Sequence, residues 1–119
     1  ITVYGDGKQT RCFTYVSETC KAVYLLSQKN EAIGQIFNIG SQNEISILDL
    51  AKKVQEKVGM SETEIKFVPY QEAYGENFED MARRVPSIKK FKEISGFSPE
   101  ITMDEILDKM IDYQSRTKN

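Results

Sequence analysis

Ser46-Ile47-Leu48-Asp49-Leu50-Ala51-Lys52-Lys53-Val54-Gln55-Glu56-Lys57-Val58-Gly59 is the stretch whose reading decides the fold. Ile47, Leu50, Ala51, Val54 and Val58 fall at i, i+3, i+4, i+7 and i+11, one face of a helix with a 3.6-residue period. Ser46 supplies a hydroxyl that can accept an orphan backbone N–H at the helix start. Gly59 supplies the left-handed residue that ends it. On the C-terminal side, Ile65-Lys66-Phe67-Val68-Pro69 reads as a strand stopped by proline. On the N-terminal side, Gln35-Ile36-Phe37-Asn38-Ile39-Gly40 reads as a short apolar strand. Strand, helix and strand at this spacing predict a βαβ unit with parallel pairing of 35–40 and 65–68.

Three more helices are expected. Ser17 is placed to cap one running to about Gln28, with Ala22, Val23, Tyr24 and Leu26 as its apolar stripe. A loop over 30–34 follows it. Ser87 is placed to cap another, ended by Gly96, with Ile88, Phe91 and Ile94 facing inward. Thr102 and Glu105 have capping-box spacing, with Met103, Ile106 or Leu107, Met110 and Tyr113 as the buried face behind them. Residues 116–119 should fray, and 71–85 reads as an ordered loop. At the other end, Ile1–Tyr4 and Arg11–Val16 have the β-branched and aromatic content of strands. Gly5-Asp6-Gly7 between them makes a hairpin or a sharp loop. The whole reads as a mixed α/β (α+β) domain spanning 1–119, with short strands, a βαβ unit and about four helices.

Composition narrows the function. At 119 residues the chain has room for one domain, and 39% hydrophobic with 29% charged residues is a globular balance. A net charge of −2 argues against nucleic acid as a partner, because phosphate neutralisation needs an excess of basic residues. No apolar run approaches the roughly 18 residues of a membrane span, and no signal segment opens the chain. With no His and two Cys, a Ser-His-Asp triad, a Cys-His dyad and a His-containing zinc site are excluded within this chain. Cys12 and Cys20 are expected to be reduced thiols of a cytoplasmic protein. Ile1 opens directly in a β-like segment, as a piece of a longer protein does.

Two catalytic-looking patterns fail on physical grounds. Gly5-Asp6-Gly7-Lys8 lacks the spacing of a phosphate-cradling loop. Tyr4 and Lys8 have Tyr-x-x-x-Lys spacing, but that pair must share a helix face, and two intervening glycines cost a helix about 2 kcal/mol. Four positions remain open. Arg11, just after the Gly-rich turn, can hold two phosphate oxygens with its planar fork, or be a surface arginine paired with a carboxylate. Arg83 and Arg84 can help the following helix start gather an anion, or be a solvated pair answering Glu76, Glu79 and Asp80. Those acids have no EF-hand spacing, so no metal site is assigned. Asn38, at the end of the expected strand 35–40, lines a ligand crevice or is a satisfied edge amide.

Val3-Tyr4-Gly5-Asp6-Gly7-Lys8-Gln9-Thr10-Arg11-Cys12-Phe13-Thr14-Tyr15-Val16 resembles the "vYGdGxQtRxFxYV" segment of extended short-chain dehydrogenase/reductases acting on nucleotide sugars. Phe37-Asn38-Ile39-Gly40-Ser41 with Glu44-Ile45-Ser46-Ile47 is similar to their "fNiGs…evsI" segment. Arg84-Val85-Pro86-Ser87-Ile88-Lys89-Lys90 and Gly96-Phe97-Ser98-Pro99 resemble "RrPDisKak" and "LGw.P". These blocks stand in the family's order over nearly the whole chain. Ser87 stands where the family usually has Asp, and Cys12 replaces a commoner Ser or Asp.

The family includes UDP-glucose 4-epimerases, dTDP-glucose 4,6-dehydratases and UDP-glucuronate decarboxylases. The resemblance implies that NAD, the Tyr-x-x-x-Lys pair and the redox chemistry belong to an N-terminal Rossmann domain absent from this sequence. No catalytic residue is therefore assigned here. By the family's pattern Val3 and Tyr4 lie beside the nucleoside base, Arg11 binds the diphosphate, Asn38 lines the same pocket, and Arg84 is the second phosphate arginine. The implied partners are a UDP- or dTDP-sugar, the chain's own Rossmann domain, and a second copy in a full-length homodimer. The rival expectation is a stand-alone binding or interaction module. The reading frame upstream of Ile1 separates the two.

Overall fold

The computed structural model describes residues 1–76 and 78–117. The elements, in chain order, are β1 (Thr2–Tyr4), β2 (Thr10–Cys12), α1 (Val16–Ser27), β3 (Glu44–Ser46), α2 (Ile47–Lys57), β4 (Lys66–Val68), α3 (Tyr70–Tyr74), β5 (Arg83–Arg84), α4 (Lys89–Ser95) and α5 (Met103–Thr117), with a 3-10 turn at Asn30–Ala32. The strands make two small sheets. β1 pairs with β4 in parallel, and β2 lies between β3 (antiparallel) and β5 (parallel).

The helix that anchored the reading forms as expected. The Ser46 hydroxyl accepts the Asp49 N–H at 3.0 Å, and Gly59 follows the helix end at φ +69°. The turn before β2 closes the same helix end. Leu48 N–H donates to the Gly7 carbonyl at 2.9 Å and Ile47 N–H to the Gln9 carbonyl at 3.1 Å. The first three orphan donors of α2 are thereby satisfied by protein, which leaves that helix start no role in gathering an anion. The capping box of α5 also forms. Thr102 N–H donates to Glu105 Oε2 at 2.8 Å, and Glu105 N–H to Thr102 Oγ1 at 3.3 Å.

Several expectations are corrected. Residues 35–40 form no strand, so the βαβ unit built on 35–40 and 65–68 is absent, and β4 pairs with β1 instead. Phe37 and Ile39 do alternate inward like strand residues. They pack with Leu26 and Phe97 around the buried cluster Ala22, Ile88 and Phe91, while Ile36 is 87% exposed. No described strand pairs with this segment. β1 and β2 belong to different sheets, so Gly5 and Gly7, both at φ +72°, make a sharp loop and no hairpin.

The helix starts differ too. Tyr15 and Ile88, not Ser17 and Ser87, hold the cap positions of α1 and α4, and neither helix has a side-chain cap. Ser17 falls inside α1. The neighbouring Glu18 is buried there and accepts the Glu100 and Ile101 N–H groups at 2.6 and 3.0 Å, tying α1 to the entrance of α5. The expected loop 71–85 holds β5 and all of α3 but its first residue, which makes five α-helices among the described residues rather than about four. Val23, Tyr24, Met110 and Tyr113 are exposed, not core. Arg116 and Thr117 are helical, and the rest of the expected frayed tail lies outside the described residues.

The body is a slab of 51 × 41 × 22 Å with a radius of gyration of 17.4 Å. A close-packed chain of this length has about 13.5 Å. Seven hydrophobic side chains are buried among the described residues, while Val16, Ile33, Ile36 and others stand exposed. α2 and α5 are laced by ion pairs, Lys53 to Asp104 at 2.9 Å and Lys57 to Asp108 at 2.6 Å. No described helix is long and apolar enough to cross a membrane.

Candidate functional site

Two open clefts flank the β2–β5 pair. The first, of about 260 Å³, contains Val3, Tyr4 and Arg11. The second, of about 410 Å³, contains Asn38 and Arg84. The structure thus brings three of the five expected residues together and places the other two next door. Arg11 and Arg84 are register partners on adjacent parallel strands, so their Cα atoms lie next to each other across the β2–β5 ladder. Their side chains line different clefts.

Arg11 is held at several points. Its Nη1 donates to the Thr10 carbonyl at 2.7 Å and to the Met81 carbonyl at 2.8 Å. Its Nη2 donates to the Asp80 carboxylate. A guanidinium has five N–H donors, so two remain for a ligand. The Arg11 side chain is 13% exposed and has the carboxylate partner of the alternative reading, while two donors stay unused by protein. The other Asp80 oxygen accepts the Tyr70 hydroxyl at 3.0 Å. Burial first, and then this bond, raise the Tyr70 phenol above its ordinary pKa, so at neutral pH it remains a donor.

Aromatic rings form one wall. Tyr74 lies 5.3 Å from Tyr4, 6.3 Å from Tyr70 and 4.5 Å from Phe78, stacked on the last at 28°. Tyr70 presses on Gly5, where an added Cβ would sit 2.5 Å from its ring. Gly5 is thus required twice, for its positive φ and for this close approach. Gln9 Nε2 donates to the Tyr4 carbonyl at 3.0 Å and closes the floor.

The second cleft is more polar. Asn38 Nδ2 donates to the Ser87 carbonyl at 3.3 Å, as a satisfied amide would. Gly40 lies against Pro86, and Ser41 N–H donates to Thr14 Oγ1 at 2.8 Å. Arg84 is exposed and, among the described residues, has no ion-pair partner. Arg83 answers Glu44 at 2.8 Å rather than Glu76, Glu79 or Asp80. The Thr10 hydroxyl, then Arg83, hold the Glu44 carboxyl below its ordinary pKa. Burial, then Glu44, push the Cys12 thiol up, so it is a poor nucleophile at neutral pH. Both thiols are free.

Tyr70, Tyr74, Phe78 and Asp80 were not singled out as site residues from the sequence. The aromatics sit four apart, at positions 70, 74 and 78, and that spacing was the available signal. Chemically, the first cleft offers a fixed cation with spare donors beside flat apolar rings, which suits an anionic group joined to a planar ring. The chain's seven glycines, at 5, 7, 34, 40, 59, 75 and 96, form no Gly-x-x-Gly-x-x-Gly turn for a dinucleotide. Tyr4 ends β1 and Lys8 lies in the turn, its N–H donating to Asp6 at 2.9 Å, so they share no helix.

A family model described as GDP-mannose 4,6 dehydratase matches residues 1–110. A UDP-N-acetyl-alpha-D-glucosaminuronate decarboxylase of Bacillus cytotoxicus is 36% identical over 119 residues, all of this chain and 36% of that protein. A UDP-glucuronic acid decarboxylase of Arabidopsis thaliana is 38% identical over 120 residues, all of this chain and 26% of that protein. The crystal structure of a Bacillus cereus UDP-glucuronic acid 4-epimerase in complex with NAD superposes with a TM-score of 0.81 at 25% identity, over 99% of this chain and 35% of that one. The chain therefore spans about a third or less of the length of these relatives. The mixed α/β fold, the match over residues 1–110 and the relatives above 30% identity together show that the chain belongs to the family described as GDP-mannose 4,6 dehydratase, within the extended short-chain dehydrogenase/reductases.

Proposed function

We propose that this chain is the nucleotide-sugar-binding part of an NAD-dependent enzyme that acts on a UDP- or dTDP-sugar, with decarboxylation of a UDP-uronic acid the favoured reaction. The observation that carries the reading is the Arg11 cleft: a guanidinium fixed by two carbonyls and a carboxylate, with two free donors, beside Tyr4 and its aromatic wall. In this reading Arg11 holds the diphosphate in the first cleft and Val3 and Tyr4 flank the base, while Arg84 and Asn38 line the neighbouring cleft and border the ligand from there. The 36–38% relatives are UDP-uronate decarboxylases, which favours that reaction over epimerisation or dehydration.

The work of this part is anchoring. Holding the remote diphosphate turns binding energy into orientation of the sugar at the reacting carbon. The residues present do not fit NAD, since they include no dinucleotide turn, and no redox step is assigned to them. NAD falls to a Rossmann domain outside this sequence, and that domain covers the exposed apolar residues and gives the slab its missing contacts. The reading includes a cytoplasmic homodimer.

Calorimetric titration of the complete protein with UDP and with dTDP tests this. Arg11→Ala should weaken binding by about 1.5–3 kcal/mol, the contribution of charged hydrogen bonds. Arg84→Ala should cost less, because its side chain lines the neighbouring cleft. Affinity unchanged by Arg11→Ala would remove the cleft from the site. Release of carbon dioxide from UDP-glucuronate, absent with UDP-glucose, checks the reaction class.

A further inference from the structure

The Arg11–Asp80 pair differs from the other ion pairs of the chain. Its side chains are 13% and 27% exposed, whereas Lys8–Asp6, Lys89–Glu93 and Arg116–Asp112 all have both partners above half exposed. It joins residues 69 apart, across the β2–β5 edge. Asp80 is itself tied down. One oxygen takes Arg11 Nη2, and the other takes the Tyr70 hydroxyl, whose ring is wedged on Gly5. An aspartate bound from two sides has no need to leave when a ligand arrives, and Arg11 keeps two donors free.

We infer that Asp80 is a positioning residue for the nucleoside diphosphate: together with Tyr70 it fixes the fork of Arg11 toward the first cleft. The inference rests on the reading that Arg11 holds the diphosphate. Its physical basis is preorganisation. A free arginine side chain must be immobilised when it binds an anion, and that cost corresponds to about two- to tenfold in affinity. Asp80 and Tyr70 meet it in advance, during folding. In this proposal both act through Arg11, and the uridine arm of the test separates that from direct contact with the base.

The test is titration of the complete protein with UDP and, separately, with uridine, which lacks the phosphates. Asp80→Asn should weaken UDP about five- to tenfold and Tyr70→Phe about two- to fivefold, with uridine unchanged by either. In an Arg11→Ala background, Asp80→Asn should change UDP affinity by less than about twofold, because the group it acts through is gone. Should Asp80→Asn fail to fold, Tyr70→Phe in both backgrounds carries the same test. UDP affinity unchanged or tighter in Asp80→Asn overturns the proposal, and the tighter result would make Asp80 a competitor of the phosphate. Equal weakening of UDP and uridine, or equal weakening with and without Arg11, also overturns it. If Arg11→Ala alone leaves UDP binding intact, the diphosphate reading itself has failed, and that result is distinct from these.

Discussion

Replacing Gly5 by alanine tests the physical tie between the turn and the cleft. Gly5 sits at φ +72°, and the left-handed conformation costs an L-residue about 1–2 kcal/mol. An added methyl would also lie 2.5 and 2.7 Å from Cε2 and Cζ of Tyr70, well inside van der Waals contact. Gly59 is a built-in control, since it has φ +69° and nothing within 4 Å of an added Cβ. Gly59→Ala therefore reads the backbone cost alone. At Gly5 the Tyr70 ring must swing away, which breaks its 3.0 Å bond to Asp80 and loosens its 5.4 Å contact with Phe78. That loss adds about 1 kcal/mol, discounted for partial exposure. Gly5→Ala should thus cost about 2–3 kcal/mol and Gly59→Ala about 1–2 kcal/mol. Native-state hydrogen exchange at the α2 amides reads the stability of this domain even within a larger protein. In a Tyr70→Ala background the two alanines should cost the same, because the ring is gone. Equal costs with Tyr70 present would refute the reasoning, since they would mean the ring is not wedged.

Phe91 is fully buried, so Phe91→Ala should destabilise the domain by about 3–5 kcal/mol in denaturant melts. Thr102→Ala removes the cap hydroxyl of α5 and should cost about 1 kcal/mol, seen as faster exchange of the first α5 amides. The Thr102 N–H, then its hydroxyl, hold the Glu105 carboxyl below its ordinary pKa. Such a group stabilises fully above the ordinary glutamate range and loses that contribution as pH falls through the lowered folded value. Thermal melts from neutral to acid pH should therefore fall less steeply for Glu105→Gln. Lys57→Met breaks a solvent-exposed ion-pair ladder, so the difference from wild type should shrink as salt approaches about 1 M.

Local chemistry was legible where it decides the outcome alone. Ser46 with its apolar period, the Thr102–Glu105 box, and the glycines after α2 and α4 each specify a helix end without help from distant residues. The segment 35–40 was not, because inward alternation of Phe37 and Ile39 looks the same whether or not a neighbouring strand supplies hydrogen bonds. Ser17 and Ser87 have the chemistry of caps, yet packing starts the helices two residues earlier in the first case and one later in the second. Glu76, Glu79 and Asp80 are equivalent acids in the sequence. Only the two-residue β5, which sets Arg84 opposite Arg11, brings Asp80 to the guanidinium. A strand that short leaves no pattern to read. Pro69 was visible as the end of a strand, but it also opens α3 and so delivers Tyr70 and Tyr74 to the cleft.

The loop 5–9 finishes two structures at once. Its carbonyls close the start of α2, while its far end sets where Arg11 enters β2. One inserted residue there would uncap a helix and turn the guanidinium to the opposite side of the sheet in the same stroke. Relatives that bind the same kind of ligand should therefore keep this loop at constant length, and spend their insertions and deletions around 29–35, where a side chain added at Gly34 would meet nothing within 4 Å.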